Sequence, residues 1–171
     1  MKYQLTETKK EINGKVLFQI KATIDFGIVK KGELGGWIEK IENLSQKGNA
    51  WVSDNARVSG DARVYGDAWV YGNAWVYGNA WVSGNARVSG NAWVYGNAWV
   101  SDNARVSGDA RVSGNARVSG NAWVSGNAWV YGDAWVYSKL KITLGYYFGF
   151  LFKGQKIQKT KTEDGTLVWK K

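Results

Sequence analysis

A repeat with a fixed period of six residues constrains this chain more than any other feature. From Ala50 onward, fifteen consecutive units follow the pattern Ala–(Trp/Arg)–Val–(Ser/Tyr)–Gly–(Asn/Asp), with Ala first and Val third in every unit. The fifth place is Gly except at Asp54, Asp102 and Ser138, and the sixth is Asn or Asp except at Lys139. A short and strict period predicts a solenoid, in which each unit is one step of a continuous coil.

The order of residues within one unit predicts a short strand followed by a corner. Ala and Val are two residues apart, so their side chains point to the same side of a strand, and the Trp or Arg between them points to the other side. The following (Ser/Tyr)–Gly–(Asn/Asp) segment turns the chain, because Gly adopts positive φ freely and Asn and Asp tolerate it. We therefore expect Ala and Val inside the coil and Trp or Arg outside it.

This pattern resembles the hexapeptide repeat of left-handed parallel β-helices, in which three units make one triangular coil of eighteen residues. The resemblance implies an all-β fold of about five triangular coils for the fifteen units. At a strand spacing of about 4.8 Å such a repeat region would be roughly 24 Å long. The corner Asn and Asp side chains are expected to form hydrogen-bonded ladders from coil to coil.

Aligning the units by eighteen residues places the outward side chains in three columns. These columns are Trp51, Trp69, Arg87, Arg105 and Trp123; Arg57, Trp75, Trp93, Arg111 and Trp129; and Arg63, Trp81, Trp99, Arg117 and Trp135. An Arg stacked over a Trp gains about 0.5–1 kcal/mol as an exposed cation–π contact.

Outward aromatic residues on this scale call for an explanation, because soluble monomers rarely expose large contiguous apolar patches. Three interpretations remain open. In the first, the faces pack against copies of the chain, most simply as a homotrimer. In the second, they stack on sugar rings or nucleobases while Arg holds a phosphate or carboxylate, and in the third they cover the pleated surface as cross-strand pairs. The candidate binding residues are Trp69, Trp75, Trp81, Arg87, Trp93, Trp99, Arg105, Arg111, Arg117, Trp123, Trp129 and Trp135.

An internal duplication favours a structural or multivalent role over one precise pocket. Residues 50–64 recur identically at 98–112, a shift of 48 residues or eight units. Eight is not a multiple of three, so the copy falls on a different face of the coil. Such copying would scramble a fixed constellation of residues but would preserve a surface that works through its average composition.

The segments on either side of the repeats lack the period and are predicted to be β-rich caps. Residues 1–49 form an amino-terminal cap whose Lys9–Ala22 stretch has an Asn13–Gly14 hairpin signal. Residues 50–142 form the repeat region, in which Leu140–Ile142 is a sixteenth, degenerate strand. Residues 143–171 form a basic, aromatic carboxy-terminal cap, with three short strands and turns near residues 153–154 and 164–165. Caps cover the open ends of solenoids, where unpaired backbone invites aggregation.

The amino-terminal segment also carries a resemblance to a known family. The run Val29–Glu39 (VKKGELGGWIE), preceded by Asp25–Phe26 and followed by Asn43–Ser45 and the hexapeptides, is similar to the start of YdcK-like proteins. These are bacterial and phage-encoded hexapeptide-repeat proteins, often labelled transferases or acetyltransferases. The resemblance implies a left-handed β-helix with an amino-terminal cap, and the regularity of the repeats suggests a phage or prophage origin.

The residue types that are missing argue against catalysis. Left-handed β-helix acyltransferases use a His as general base, and this chain has no His and no Cys. The acidic residues outside the corners show no paired-carboxylate or metal-ligand spacing. We therefore expect no catalytic residues, no metal and no cofactor, and we consider a His-less acyltransferase the least favoured alternative.

The net charge of +9 resides in the two flanks, because six Arg and six Asp cancel between residues 50 and 137. The flanking Lys residues suit a solvated surface or, as an alternative, the binding of nucleotides or nucleic acid in a counter-defence role. No apolar run is long enough to span a membrane, and the amino terminus has no apolar run that could form a signal-peptide core. A location in the bacterial cytoplasm is expected.

Overall fold

The repeat units fold into strands of two or three residues. The computed structural model describes residues 1–148 and the strands Gln158–Lys161 and Leu167–Lys170. The chain begins with β1 (Tyr3–Ile12), β2 (Lys15–Ala22), β3 (Leu34–Ile38) and a 3₁₀ helix (Ile41–Asn43). The repeat strands β4 to β18 are Trp51–Val52, Arg57–Val58, Arg63–Val64, Trp69–Val70, Trp75–Val76, Trp81–Val82, Arg87–Val88, Trp93–Val94, Trp99–Val100, Arg105–Val106, Arg111–Val112, Arg117–Val118, Trp123–Val124, Trp129–Tyr131 and Trp135–Val136. The last strands, β19 to β22, are Lys141–Ile142, Tyr146–Phe148, Gln158–Lys161 and Leu167–Lys170.

The strands assemble into three parallel sheets that form the sides of a solenoid. Face 1 contains β3, β5, β8, β11, β14, β17 and β20, face 2 contains β4, β7, β10, β13, β16 and β19, and face 3 contains β6, β9, β12, β15 and β18. Within the repeats each residue pairs with the residue eighteen positions later, as in Val76↔Val94 and Val82↔Val100. The predicted all-β parallel solenoid with three units per coil is thus confirmed.

The interior of the solenoid is made of the invariant Ala and Val residues. All fifteen Ala and all fifteen Val residues of the repeat units are buried, and Ala134, at 5% exposure, is the most accessible. Burying a Val side chain contributes about 1.5–3 kcal/mol, so the repeated column of Val is the main source of stability. The prediction that Ala and Val point into the coil is therefore confirmed.

The solenoid has about six turns, one more than the five predicted. The additional turn comes from segments outside the regular repeats. At one end, Ile38 pairs with Val58 and Leu44 pairs with Val64, twenty residues later in each case. At the other end, Ile142 pairs with Val124 and closes the sixth turn. The first coil is two residues longer than the others, and this difference hides it from a strict search for a six-residue period.

Asn43 joins the first coil to the second. Its side chain is fully buried, and its Oδ1 accepts hydrogen bonds from the backbone N–H groups of Glu39 and Lys40 at 3.2 and 2.9 Å. Its Nδ2 donates to the carbonyl oxygens of Gly60 and Ala62 at 2.9 and 2.8 Å. All four hydrogen-bonding positions of the amide are used, so the irregular first coil is fixed to the regular array.

The corners are stacked closely and carry the predicted ladders. Gly78 has φ of +70°, and a Cβ on it would approach the backbone nitrogen of Gly96 to 3.1 Å, so both conformation and spacing favour glycine. Three ladders of Asn side chains run along the corners, each amide donating to the residue one coil later. The ladders are Asn55–Asn73–Asn91–Asp109, Asn79–Asn97–Asn115–Asp133 and Asn85–Asn103–Asn121.

The amino-terminal hairpin extends the sheet of face 1 and closes one end of the solenoid. Strands β1 and β2 pair antiparallel around Asn13–Gly14, as predicted, and β2 pairs antiparallel with β3. The buried Lys2 ammonium donates to the carbonyl oxygen of Ala50 at 2.8 Å. The Tyr3 hydroxyl lies 2.8 and 2.6 Å from the carbonyl oxygens of Ile41 and Leu44 and shares its one proton between them. The hairpin thereby supplies donors to carbonyl groups of the first coil.

At the carboxy-terminal end, β20 adds a further strand to face 1, and β21 pairs antiparallel with β22. These elements agree with the three predicted strands, while the predicted turns near residues 153–154 and 164–165 lie outside the described residues. Nothing helical in the described part of the chain has the length and hydrophobicity to cross a bilayer.

Candidate functional site

The predicted binding residues all lie on the outer surface of the solenoid, distributed over its three faces. Within one strand the change from core to surface is abrupt, since Val94 is fully buried and the preceding Trp93 is exposed. The structure brings the predicted residues together in columns of four: Trp75, Trp93, Arg111 and Trp129 on face 1; Trp69, Arg87, Arg105 and Trp123 on face 2; and Trp81, Trp99, Arg117 and Trp135 on face 3.

Face 1 carries a cluster of four aromatic rings. Trp75 and Trp93 meet edge to face with their centroids 5.8 Å apart, and Tyr77 and Tyr95 lie parallel at 4.9 Å. Tyr77 joins the two pairs, because its ring lies 4.9 Å from Trp75 and 6.3 Å from Trp93. Burial of Tyr77, with a smaller contribution from the neighbouring Tyr95, raises the pKa of its hydroxyl. This hydroxyl is therefore uncharged at neutral pH.

Arginine side chains cover the ends of this cluster. Arg57 lies over the ring of Trp75, with its guanidinium carbon 5.6 Å from the ring centroid. Arg111 lies between two indoles, 5.1 Å from Trp93 and 5.7 Å from Trp129. Trp75 and Trp129 are half-buried, whereas Trp93 remains 36% exposed.

Face 3 presents the most exposed row of indoles. Trp81, Trp99 and Trp135 expose 38%, 37% and 45% of their surface. Arg117 contacts Trp99 at 5.5 Å and Trp135 at 5.8 Å. Tyr137, which is 43% exposed, extends the row past Trp135 with the rings 6.0 Å apart. Unlike face 1, this face contains no strand of the amino-terminal hairpin.

Face 2 differs from the other two because it has two consecutive Arg residues. Arg87 and Arg105 are in register on the neighbouring strands β10 and β13, and both are exposed. Trp69 precedes this pair and Trp123 follows it along the column. Lys141 then lies over Trp123, with its Nζ 4.5 Å from the ring centroid.

Serine residues fix several indoles, a role that sequence reasoning missed. The Nε1 groups of Trp75, Trp123 and Trp129 donate to the hydroxyl oxygens of Ser59, Ser107 and Ser113 at 3.3, 3.0 and 3.2 Å. In each pair the serine lies sixteen residues before the tryptophan, which is one coil earlier and two places further along the unit. This offset follows from the eighteen-residue register, so the signal was present in the sequence.

Trp51 is an exception to the predicted outward exposure of the repeat tryptophans. Its outward side chain is covered by the amino-terminal cap and is only 1% exposed. Its ring contacts Phe26 at 5.4 Å and Tyr3 at 6.3 Å, both edge to face. Trp51 therefore belongs to the core and is unavailable to a ligand.

A shallow groove of about 250 Å³ lies near the carboxy-terminal end of face 1. It is lined by Asp109, Arg111, Asn127, Trp129 and Tyr146. Within residues 1–148, no group of three or more Asp or Glu side chains is arranged to hold one metal ion. The chemistry displayed on the outer surface is therefore that of indole and phenol rings, guanidinium groups and corner amides.

Comparison with known proteins agrees with this geometry. The family model described as "YdcK Beta solenoid repeat" matches the chain at residues 50–66, 56–72, 62–78, 68–84, 80–96, 86–102, 98–112 and 110–126. A protein of Escherichia coli (strain K12) named "Uncharacterized acetyltransferase YdcK" is 44% identical over 52 residues. That match covers 30% of this chain and 15% of the relative, so the similarity concerns a short stretch of a much longer protein.

Proposed function

We propose that this chain, whose residues 50–126 match the YdcK β-solenoid repeat model, is a non-enzymatic binding and assembly module that works through its outer faces. The row of exposed indoles on face 3, formed by Trp81, Trp99 and Trp135, is the observation that carries the proposal. Exposed apolar rows of this kind typically mark interaction surfaces.

A second copy of the chain is the partner that face 3 fits best. The outward column of this face consists of Trp and Arg alone, with Tyr65 and Tyr137 beside it. Aromatic residues and Arg are enriched in the cores of protein interfaces, whereas Lys, Glu and Asp are depleted there. Coils of equal size also make the face regular, so three copies that place it toward a common threefold axis can contact one another along its whole length. A closed homotrimer is the assembly we propose.

Native mass spectrometry of the purified protein, followed by the triple variant Trp81→Ser/Trp99→Ser/Trp135→Ser, tests this proposal. We expect the wild-type protein to be an oligomer and the variant to be a monomer with an unchanged β-sheet circular dichroism signal. The matched control is Trp75→Ser/Trp93→Ser/Trp129→Ser on face 1, which should remain an oligomer. A monomeric wild-type protein, or an oligomer that survives the face 3 substitutions, would contradict the proposal.

The non-enzymatic part of the proposal is supported by the residue types in the chain. The name of the Escherichia coli relative includes acetyltransferase activity, and general base catalysis in enzymes most often uses His. This chain has no His. We therefore expect no release of coenzyme A when the protein is incubated with acetyl-coenzyme A and a range of amines and sugars. Release above a buffer control, abolished by heating the protein, would instead establish a transferase.

A further inference from the structure

Face 2 differs from the other faces in the contacts between its Arg and Trp side chains. The three columns contain eight pairs of Arg and Trp on neighbouring strands, and six of these pairs are cation–π contacts. The two pairs without such a contact are Trp69/Arg87 and Arg105/Trp123, both on face 2. Among the described residues, neither guanidinium makes a salt bridge or a side-chain hydrogen bond within the chain.

Two like charges follow each other directly along the column of face 2, at Arg87 and Arg105. Arg87 and Arg105 are directly in register, so their backbones are about 4.8 Å apart. The nearby corner acids are bound elsewhere: Asp102 accepts from the backbone N–H of Gly120 at 2.9 Å, and Asp109 accepts from the side-chain amide of Asn91 at 2.9 Å. Each guanidinium has five N–H donors in a planar fork that matches phosphate oxygens. Face 2 therefore presents two adjacent guanidinium groups whose donors are unpaired within the described part of the chain.

From this arrangement we propose that face 2 binds single-stranded nucleic acid, with its phosphates on Arg87 and Arg105. The Trp123 indole lies one strand after the cations and is 37% exposed, so a base of the same strand stacks on it. The Trp69 indole lies one strand before them, is half-buried and offers a smaller stacking surface. The Trp123 ring is held in place by its hydrogen bond to Ser107 and has Lys141 over one side. Alternating cationic and aromatic groups along a line is the arrangement by which proteins bind single strands without sequence preference.

The shape of face 2 favours a polymer over a free nucleotide. Small ligands bind in concave pockets that bury most of their surface. Face 2 is a regular surface whose column of Trp69, Arg87, Arg105, Trp123 and Lys141 covers five successive strands. An extended single strand contacts several of these steps at once. A duplex offers phosphates but no free base faces for the indoles.

This inference deepens the proposed binding function but uses a face different from the one proposed for assembly. Its test is the fluorescence anisotropy of a labelled oligothymidine titrated with the full-length protein. The variant Arg87→Ser/Arg105→Ser should weaken binding about tenfold or more, and the slope of log affinity against log salt should fall by about 1.4. The charge-matched control Lys9→Ser/Lys21→Ser, in the exposed part of the hairpin, should change affinity less than about twofold.

Further measurements distinguish base stacking from phosphate contacts, and a single strand from other phosphate-containing ligands. Trp69→Ser/Trp123→Ser should weaken binding and leave the salt slope unchanged, because stacking releases no counterions. Unlabelled oligothymidine should compete, whereas thymidine monophosphate, inorganic phosphate and duplex DNA at equal phosphate concentration should not. Absence of binding by the wild-type protein, equal losses in the arginine and lysine variants, or equal competition by the duplex would each overturn the proposal. Native masses of the arginine variant should match those of the wild-type protein, so failure here is distinguishable from failure of assembly through face 3.

Discussion

The indole of Trp51 lies against Gly35, in the space that any larger residue at that position would occupy. A Cβ on Gly35 would come within 2.6 Å of the indole Cζ2, of the Ile20 side chain and of the carbonyl oxygen of Val52. The neighbouring Gly36 takes the place of the repeat Ala, and a Cβ on it would come within 2.7 Å of the carbonyl oxygen of Ala56. The two glycines of the GELGGW motif therefore let β3 serve both as the first strand of the solenoid and as a cover over Trp51.

Substituting Gly35 by Ala should lower the free energy of unfolding by about 1–3 kcal/mol, the usual cost of overpacking a core. Urea denaturation followed by circular dichroism measures this loss. In a double-mutant cycle, Trp51→Phe removes the part of the indole nearest to Gly35, so the two substitutions together should cost less than the sum of their separate effects. Additive costs would show that the indole is not the limiting contact.

The buried Lys2 should make the free energy of unfolding depend on pH in the alkaline range. Burial lowers the pKa of its ammonium to about 8, and the attraction of Asp67 opposes this shift in part. The ordinary lysine value is 10.5, so between pH 8 and 10.5 the unfolded chain binds more protons at this site than the folded chain does. The contribution of Lys2 to the free energy of unfolding must then rise with pH across that window.

The comparison of the wild-type protein with Lys2→Met isolates this effect. The difference in their free energies of unfolding, wild type minus variant, should increase from pH 7 to pH 9.5. Staying below pH 10 avoids ionisation of Tyr3, whose pKa is raised by burial and, to a smaller extent, by Glu42. A difference that stays constant with pH would contradict the assignment of a buried, charged Lys2.

A substitution at Asn97 tests how much the corner ladders contribute to the free energy of unfolding. Its amide accepts from Asn79 at 3.0 Å and donates to Asn115 at 3.1 Å. An ionised Asp accepts but does not donate, so Asn97→Asp should lose one hydrogen bond and cost about 1 kcal/mol at pH 7. The cost should shrink below about pH 4, where the carboxyl group carries a proton to donate.

Asp133 provides the matched control for this ladder. It is the last residue of the same ladder and only accepts, from Asn115 at 3.0 Å. Because Asn also accepts through its oxygen, Asp133→Asn should change the free energy of unfolding by less than about 0.5 kcal/mol. Equal costs for the two substitutions in urea denaturation would show that the direction of the ladder has no influence on stability.

The regular part of the molecule follows directly from the sequence. A strict period of six, with Ala and Val two places apart, is enough to assign the interior, the corners and the three outward columns. Each of these features repeats, so one local rule determines all fifteen units. The pairing of Trp93 with Trp75 and Arg111 confirms the predicted eighteen-residue register.

The parts that sequence reasoning missed depend on contacts between distant segments. The first coil is twenty residues long, and its residue Ile38 is assigned to the core only through its pairing with Val58. Burial of Trp51 depends on the position of the hairpin, which no period encodes. Likewise, the sequence gives the neighbours of each Arg in its column but not whether its guanidinium turns toward a ring.

Arg111 and Arg87 occupy equivalent places in their repeat units but differ in their contacts with aromatic rings. Arg111 lies between the rings of Trp93 and Trp129, whereas Arg87 contacts no ring in the described structure and is in register with Arg105. Arg111→Ser should therefore lower the free energy of unfolding by about 1 kcal/mol, since it removes two exposed cation–π contacts.

Arg87→Ser should leave the free energy of unfolding unchanged or raise it slightly, because the substitution removes a repulsion between like charges. Any gain from Arg87→Ser should disappear in high salt, which screens exposed charges. Urea denaturation of both variants at low and high salt measures these effects, and a loss of stability in Arg87→Ser equal to that in Arg111→Ser would mean that Arg87 is held by the protein and is not free to bind phosphate.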